Sequence, residues 1–122
     1  MSASAVVMGL GGVACLFAPD EILRATHGGG SPIVLQLLGA LLFAFAMVNW
    51  TAKDSLIGGI YGRPVAIGNL THFTIGAISI VKLAAAGALP RAAWIVAIVY
   101  VLFAVAFARV FFTSPVSQQT AG

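Results

Sequence analysis

The sequence predicts an all-α integral membrane protein: an antiparallel bundle of four transmembrane helices, with a short interfacial helix after the first span. Of its 122 residues, 61% are hydrophobic and 7% are charged, and the mean hydropathy is +1.08. A water-soluble surface needs more charge than this. Each apolar segment approaches the roughly 20 residues that cross a ~30 Å hydrocarbon core. The predicted spans are residues 2–18, 32–50, 64–87 and 91–112, in a single domain over 1–112 before a flexible polar tail at 113–122.

The first segment and its exit indicate close packing followed by an interfacial helix. Ala5, Gly9 and Gly12 share one helical face, where another backbone could approach closely. Pro19 is followed by two acids, an order typical of a helix N-terminus, and Gly28 fits just past the end of such a helix. We therefore expect a short helix between these two residues.

The second segment is predicted to begin after the Ser31-Pro32 pair, because serine caps helices and proline suits their first turn. Tryptophan near its far end is typical of the aromatic belt at a membrane interface. We expect one face to point into the bundle. That face comprises Gln36, Gly39, Phe43, Ala46 and Trp50.

The third segment combines the length of a membrane span with polar side chains. At 100° per residue, Asn69, His72, Gly76 and Ser79 fall within an arc of about 80°. Polar groups in hydrocarbon are costly, so they usually face the interior of a bundle. We therefore predict an intramembrane polar cluster of Asn49, Asn69, His72 and Ser79, in which the two asparagines lie close together.

Lys82 lies near the end of the third segment, and two interpretations of it are open. Its long stem can extend to the interface, where the ammonium reaches water. Alternatively, it pairs with an acid, and an antiparallel bundle places the loop after the first span at the same end. The second interpretation predicts an ion pair between Lys82 and Glu21 or Asp20.

The fourth segment is an uncharged run bracketed by Arg91 and Arg109. Four alanines share one of its faces, which favours tight helix packing: Ala93, Ala97, Ala104 and Ala108. With four spans, the side of the termini carries three of the loop cations, and the opposite side carries two. The positive-inside bias then predicts that both termini are cytoplasmic.

No catalytic or metal-binding arrangement is recognisable in the sequence. The histidines, His27 and His72, occupy different segments, and Cys15 is the only cysteine, so neither a metal site nor a cofactor is predicted. We interpret His72 as a hydrogen-bonded packing residue, with cofactor ligation as the alternative. The bases are scattered singly, which argues against nucleic-acid binding.

Two stretches carry a resemblance to a known family. The first segment ends in Leu16-Phe17-Ala18-Pro19-Asp20-Glu21, and the second runs from Gly39-Ala40 through Asn49-Trp50 into Gly58-Gly59-Ile60-Tyr61-Gly62-Arg63-Pro64. Together they cover about half of the chain and resemble small four-helix bacterial membrane proteins of the DoxX-like kind. The resemblance implies an antiparallel four-helix bundle, and with it a bacterial inner (cytoplasmic) membrane location. It supplies no active-site residues.

Three classes of function remain open. The leading expectation is a non-enzymatic accessory or assembly subunit that packs against a larger membrane complex or its own copies. Its partners would be the lipid bilayer and other membrane helices. The second is a transporter or channel for ions or small solutes, and the third is a membrane enzyme acting on a quinone or lipid. The path of a transporter would be lined by Asn49, Asn69, His72, Ser79 and Lys82.

Overall fold

The structure, a computed structural model, describes residues 1–27, 29–54 and 62–113. All regular secondary structure in these ranges is helical. The helices are α1 Ser2–Phe17, α2 Pro19–Ala25, α3 Pro32–Ala52, α4 Gly62–Ala85 and α5 Ala93–Thr113. The chain divides into two compact units, Met1–Lys53 and Asp54–Gly122. The predicted tail, apart from its first residue, lies outside the described residues.

Three helices are long and apolar enough to cross a membrane. α3 has 21 residues, α4 has 24 and α5 has 21, and the mean hydropathy of an 18-residue window within each is 2.0, 1.4 and 2.6 respectively. A fourth span is counted if α1 and α2, which meet at a bend of 98°, form one broken span. α1 has 16 residues, or roughly 24 Å of helix, which is short for a ~30 Å core. The all-helical class is thus confirmed for the described residues, and three of their helices, or four with the broken pair, have the length and composition to cross a membrane.

The break between α1 and α2 lies where the sequence places a proline. Ala18 has a non-helical ψ of 47°, and Pro19 starts α2. Since proline has no N–H to donate, it suits a first helical turn. At the other end, His27 adopts the left-handed conformation with a φ of 51°, and histidine is one of the few non-glycine residues enriched there. Gly28, which we expected just past the end of this helix, lies outside the described residues.

In the first unit, α1 and α3 run in opposite directions and approach closely through glycine. A Cβ atom added to Gly12 would lie 2.8 Å from the carbonyl oxygen of Gly39 and from the backbone nitrogen of Phe43. A Cβ added to Gly39 would lie 2.8 Å from the carbonyl oxygen of Gly12. The expected backbone approach to the small-residue face of α1 is therefore confirmed, and α3 is the helix that makes it.

The buried face of α3 differs from the predicted one. It consists of Gly39, Leu42, Ala46 and Asn49, together with Ala52 at the helix end. Phe43 and Trp50, which were expected to point inward, are 42% and 48% exposed. Backbones that approach through glycine leave no room for large rings between them, so these two rings flank the contact instead.

In the second unit, α4 and α5 also run in opposite directions, and aromatic rings fill their contact. Phe73 is completely buried. Its ring stacks on Phe103 and Phe107, with centroids 4.9 and 5.9 Å away, and meets Tyr100 edge to face at 5.2 Å. Of the predicted alanine face of α5, only Ala97 is buried, and the other three alanines are half-buried. Large rings occupy much of the space that we assigned to alanine.

Candidate functional site

The polar cluster of the first unit joins the start of α1 to the end of α3. Asn49 is fully buried and donates through Nδ2 to Ser4 Oγ at 3.3 Å, with Met8 Sδ 3.7 Å away. Ser4 is also fully buried, and its hydroxyl donates to the carbonyl oxygen of Met1 at 2.7 Å. These bonds satisfy polar groups that hydrocarbon cannot solvate. They fasten one end of the α1–α3 pair.

The polar residues of α4 separate into buried and exposed groups. Asn69 is fully buried, and its Nδ2 donates to the carbonyl oxygen of Val65 at 2.8 Å, one turn earlier in the same helix. His72 is half-buried, whereas Ser79 is exposed. The predicted polar arc therefore passes from the contact with α5 to the outside of the helix. Ser79 is exposed within this unit, and its place in the predicted cluster stays a prediction because that cluster joins residues of both units.

His72 has an aromatic environment shared by both helices of its unit. Tyr100 Oη lies 3.4 Å from His72 Nε2, within hydrogen-bonding distance. The two rings are 5.6 Å apart, and the imidazole meets Phe73 edge to face at 5.2 Å. The Tyr100 ring covers Gly76, because a Cβ added to that glycine would lie 2.6 Å from Tyr100 Cδ1. The glycine thus makes room for the tyrosine that reaches the histidine.

Two predicted pairings join residues of different units, and both stay predictions. Asn49 belongs to the first unit and Asn69 to the second. Likewise, Asp20 and Glu21 open α2 in the first unit, whereas Lys82 is exposed in the last turn of α4 in the second.

Sequence reasoning missed the partners that the tertiary contacts supply. Ser4 lies 45 residues before Asn49, and Tyr100 lies 28 residues after His72. A usable signal was present at Ser4, a hydroxyl in an apolar segment that lies opposite the end of the second span in an antiparallel arrangement. Among the described residues, no group of three or more His, Cys, Asp or Glu side chains could hold a metal ion.

At the end of α3, the side chain of Lys53 lies against the indole ring of Trp50. Lys53 Nζ lies 3.7 Å from the centroid of the Trp50 ring, in a cation–π contact. Both residues are exposed. Tryptophan and lysine together are typical of the end of a transmembrane helix, where one part of the side chain contacts lipid and the other contacts water.

Comparison of the chain with protein-family models, with curated proteins and with solved structures finds no match. Among the described residues, each of the three buried polar side chains and His72 has a hydrogen-bond contact within its own unit, and two of these contacts, Asn49 with Ser4 and Tyr100 with His72, join two helices.

Proposed function

We propose that this chain is a non-enzymatic accessory or assembly subunit, an antiparallel four-span protein that packs laterally against a larger membrane complex or its own copies. The observation that carries this proposal is the polar outer face of α4. Thr71, Thr74 and Ser79 are exposed on this helix, interspersed with the exposed side chains of Ile75 and Ile78. Polar side chains of membrane helices usually meet protein, because lipid tails offer no hydrogen-bond partners.

α5 provides the contrast within the same unit. It is the most apolar of the candidate spans, and only 11% of its most apolar window is buried. Apart from Arg109 near its end, its large exposed side chains are apolar or aromatic, with Ile95, Ile98, Leu102 and Val105 among them. Such a surface suits lipid contact. We therefore assign the outer face of α4 to a protein partner and that of α5 to lipid.

The distribution of polar residues favours this function over a transporter. A continuous path would need Asn69 and Ser79 along one open lining, but the first is fully buried and the second is exposed. The amide of Asn69 is also hydrogen-bonded to the backbone of its own helix. A buried amide that is already hydrogen-bonded within its own helix is not placed to line a path for a solute.

Site-specific photo-crosslinking in native membranes tests the proposal. A photoreactive residue replaces Ile78, which is 63% exposed on the outer face of α4. The matched control replaces Ile98 on α5, which is 58% exposed and lies at a similar level, because Tyr100 of α5 covers Gly76 of α4. We expect the α4 probe to yield one protein adduct of defined mass, and the α5 probe to yield little.

The mass of the adduct identifies the partner. Twice the mass of the chain indicates self-association, and any other mass indicates a subunit of a larger complex. The proposal is wrong if the probe at Ile78 gives no protein adduct, if both probes react alike, or if the crosslink stays within one chain. Recovery of the same partner with a tagged chain in mild detergent would support it independently.

The orientation and the membrane belong to the same proposal. Ser4 contacts Asn49, so the start of α1 and the end of α3 lie at the same end of the first unit, where Lys53 supplies a cation. The positive-inside rule then favours a cytoplasmic N-terminus in a bacterial inner membrane, in keeping with the DoxX-like resemblance. Fusions of a reporter that is active only in the cytoplasm, at either terminus, should both be active.

A further inference from the structure

A groove runs along one side of the α1–α3 pair, beside the line where the two helices meet. Small residues form its base: Ala5 and Ala46 are each 5% exposed, and Gly9 lies between the helices. Larger apolar side chains that remain exposed form its walls, with Val6, Phe43 and Trp50 among them. Within the first unit, the groove is therefore apolar and open along its length.

This groove has room for one extended hydrocarbon chain along its length but not for the body of a helix. Its volume is about 290 Å³. From Phe43 to Trp50 it follows roughly 10 Å of α3, at 1.5 Å per residue, so its mean cross-section is about 30 Å². A helix with side chains is about 10–12 Å wide, which corresponds to a cross-section of roughly 80–110 Å². A helix could insert only single side chains, whereas an extended acyl chain could lie within it.

The ammonium group of Lys53 lies at one end of the groove, and the exposed carboxylate of Asp54 follows it in the chain. Trp50 forms the wall at that end, and Lys53 Nζ lies 3.7 Å from the centroid of the Trp50 ring. Lys53 is exposed, one turn beyond Trp50 and at the end of α3. An ammonium at this place attracts a phosphate at the level of the lipid headgroups, while the indole ring lies between headgroup and tail.

We propose that this groove is a binding site for an anionic phospholipid, with one acyl chain lying between α1 and α3 and the phosphate group beside Lys53. A lipid with a net negative charge should bind better than a zwitterionic lipid with the same tails. A single lysine at a membrane surface corresponds to a preference of about fivefold. The residues of this site all belong to the first unit, so the proposal does not depend on the proposed subunit function, which rests on α4.

Quenching of tryptophan fluorescence by brominated lipids tests this site directly. The chain contains two tryptophans, so the measurement uses Trp94→Phe, which leaves only Trp50 in the groove. The full chain is placed in phosphatidylcholine vesicles that contain brominated phosphatidylglycerol or brominated phosphatidylcholine with identical tails. We expect the relative association of the phosphatidylglycerol with Trp50 to be about fivefold higher.

Two pairs of variants separate the headgroup from the tail. Lys53→Gln should abolish the preference for phosphatidylglycerol, whereas Arg24→Gln, in the same unit but on α2, should preserve it. Val6→Phe places a ring in the groove and should reduce quenching by both lipids. Val7→Phe makes the same change at an exposed neighbour that does not line the groove. In this variant, both lipids should quench the fluorescence of Trp50 as strongly as in the parent protein.

Several results would overturn the proposal. Equal quenching by the two brominated lipids, or a preference that survives Lys53→Gln, would show that the lysine selects no headgroup. Equal effects of Val6→Phe and Val7→Phe would show that the acyl chain does not occupy the groove. If neither lipid quenches Trp50, protein covers the groove instead. Should a phenylalanine variant fail to fold, the comparison of Lys53→Gln with Arg24→Gln still tests the proposal, because both side chains are exposed and their replacement should not disturb folding.

Discussion

The glycine contact between α1 and α3 makes a quantitative prediction about stability. In Gly12→Ala, the new methyl group would lie 2.8 Å from two backbone atoms of α3. Ordinary contact begins at 3.4 Å, so those atoms must retreat by about 0.6 Å. Backbone in a packed helix cannot rotate away as the end of a side chain can. The two helices must therefore separate along their closest approach.

The expected magnitude follows from two opposing effects. Overpacking of a tight contact costs about 1–3 kcal/mol. Replacing glycine by alanine within a helix gains about 0.8–1.0 kcal/mol through propensity alone. Gly11→Ala isolates the second effect, because its new methyl group would meet only Leu42 Cδ1 at 3.9 Å. We expect Gly11→Ala to stabilise the protein slightly, and Gly12→Ala to be less stable than Gly11→Ala by about 1–3 kcal/mol.

The measurement is equilibrium unfolding in detergent micelles, monitored through the helical circular dichroism signal. Gly39→Ala should resemble Gly12→Ala, since its methyl group would lie 2.8 Å from Cys15 Cβ and from the carbonyl oxygen of Gly12. The double variant should cost less than the sum of the two, because one separation of the helices relieves both clashes. Equal stabilities of the Gly11→Ala and Gly12→Ala proteins would refute the close approach.

Three further predictions concern the polar residues. Ser4→Ala should destabilise the protein by about 0.6 kcal/mol, and by at most ~1.7, because Asn49 loses an acceptor within the membrane. His72→Leu and Tyr100→Phe form a double-mutant cycle. The change in unfolding free energy of the double variant should differ from the sum of the two single changes by about 0.6 kcal/mol, and by at most ~1.7. Thermal unfolding in detergent should show non-additive effects when Lys82→Met is combined with neutral replacements of the two acids in α2.

The controls for these predictions use the same pairs of residues. If Ser4→Ala costs nothing in the background of Asn49→Leu, the cost in the parent belongs to the bond between them. Additive effects of His72→Leu and Tyr100→Phe would mean that the hydrogen bond contributes no stability. Simple additivity of Lys82→Met with Glu21→Gln would show that the lysine only extends to the interface.

Composition and local pattern determined the helical elements from the sequence alone. Long apolar runs predicted the spans, because hydrocarbon requires every backbone hydrogen bond to close within the segment. Pro19 with the following acids predicted α2, because proline and negative charge both suit the first turn of a helix. Gly12 predicted that another helix backbone approaches α1 closely, since only glycine has no side chain to keep that backbone away. Each of these sequence features affects only the few residues next to it, so the local sequence is enough to interpret it.

Only the tertiary structure decided which face of a helix meets which partner. Faces that differ by one residue have nearly equal periodicity, so Phe43 was predicted inward although the approach at Gly39 excludes its ring. Partners were likewise hidden by distance in the chain: Ser4 reaches Asn49 and Tyr100 reaches His72 because two helices pack in one particular register. That register depends on the side-chain shapes of both packed helices, whereas a hydrophobic pattern within one segment describes only one of the two helices.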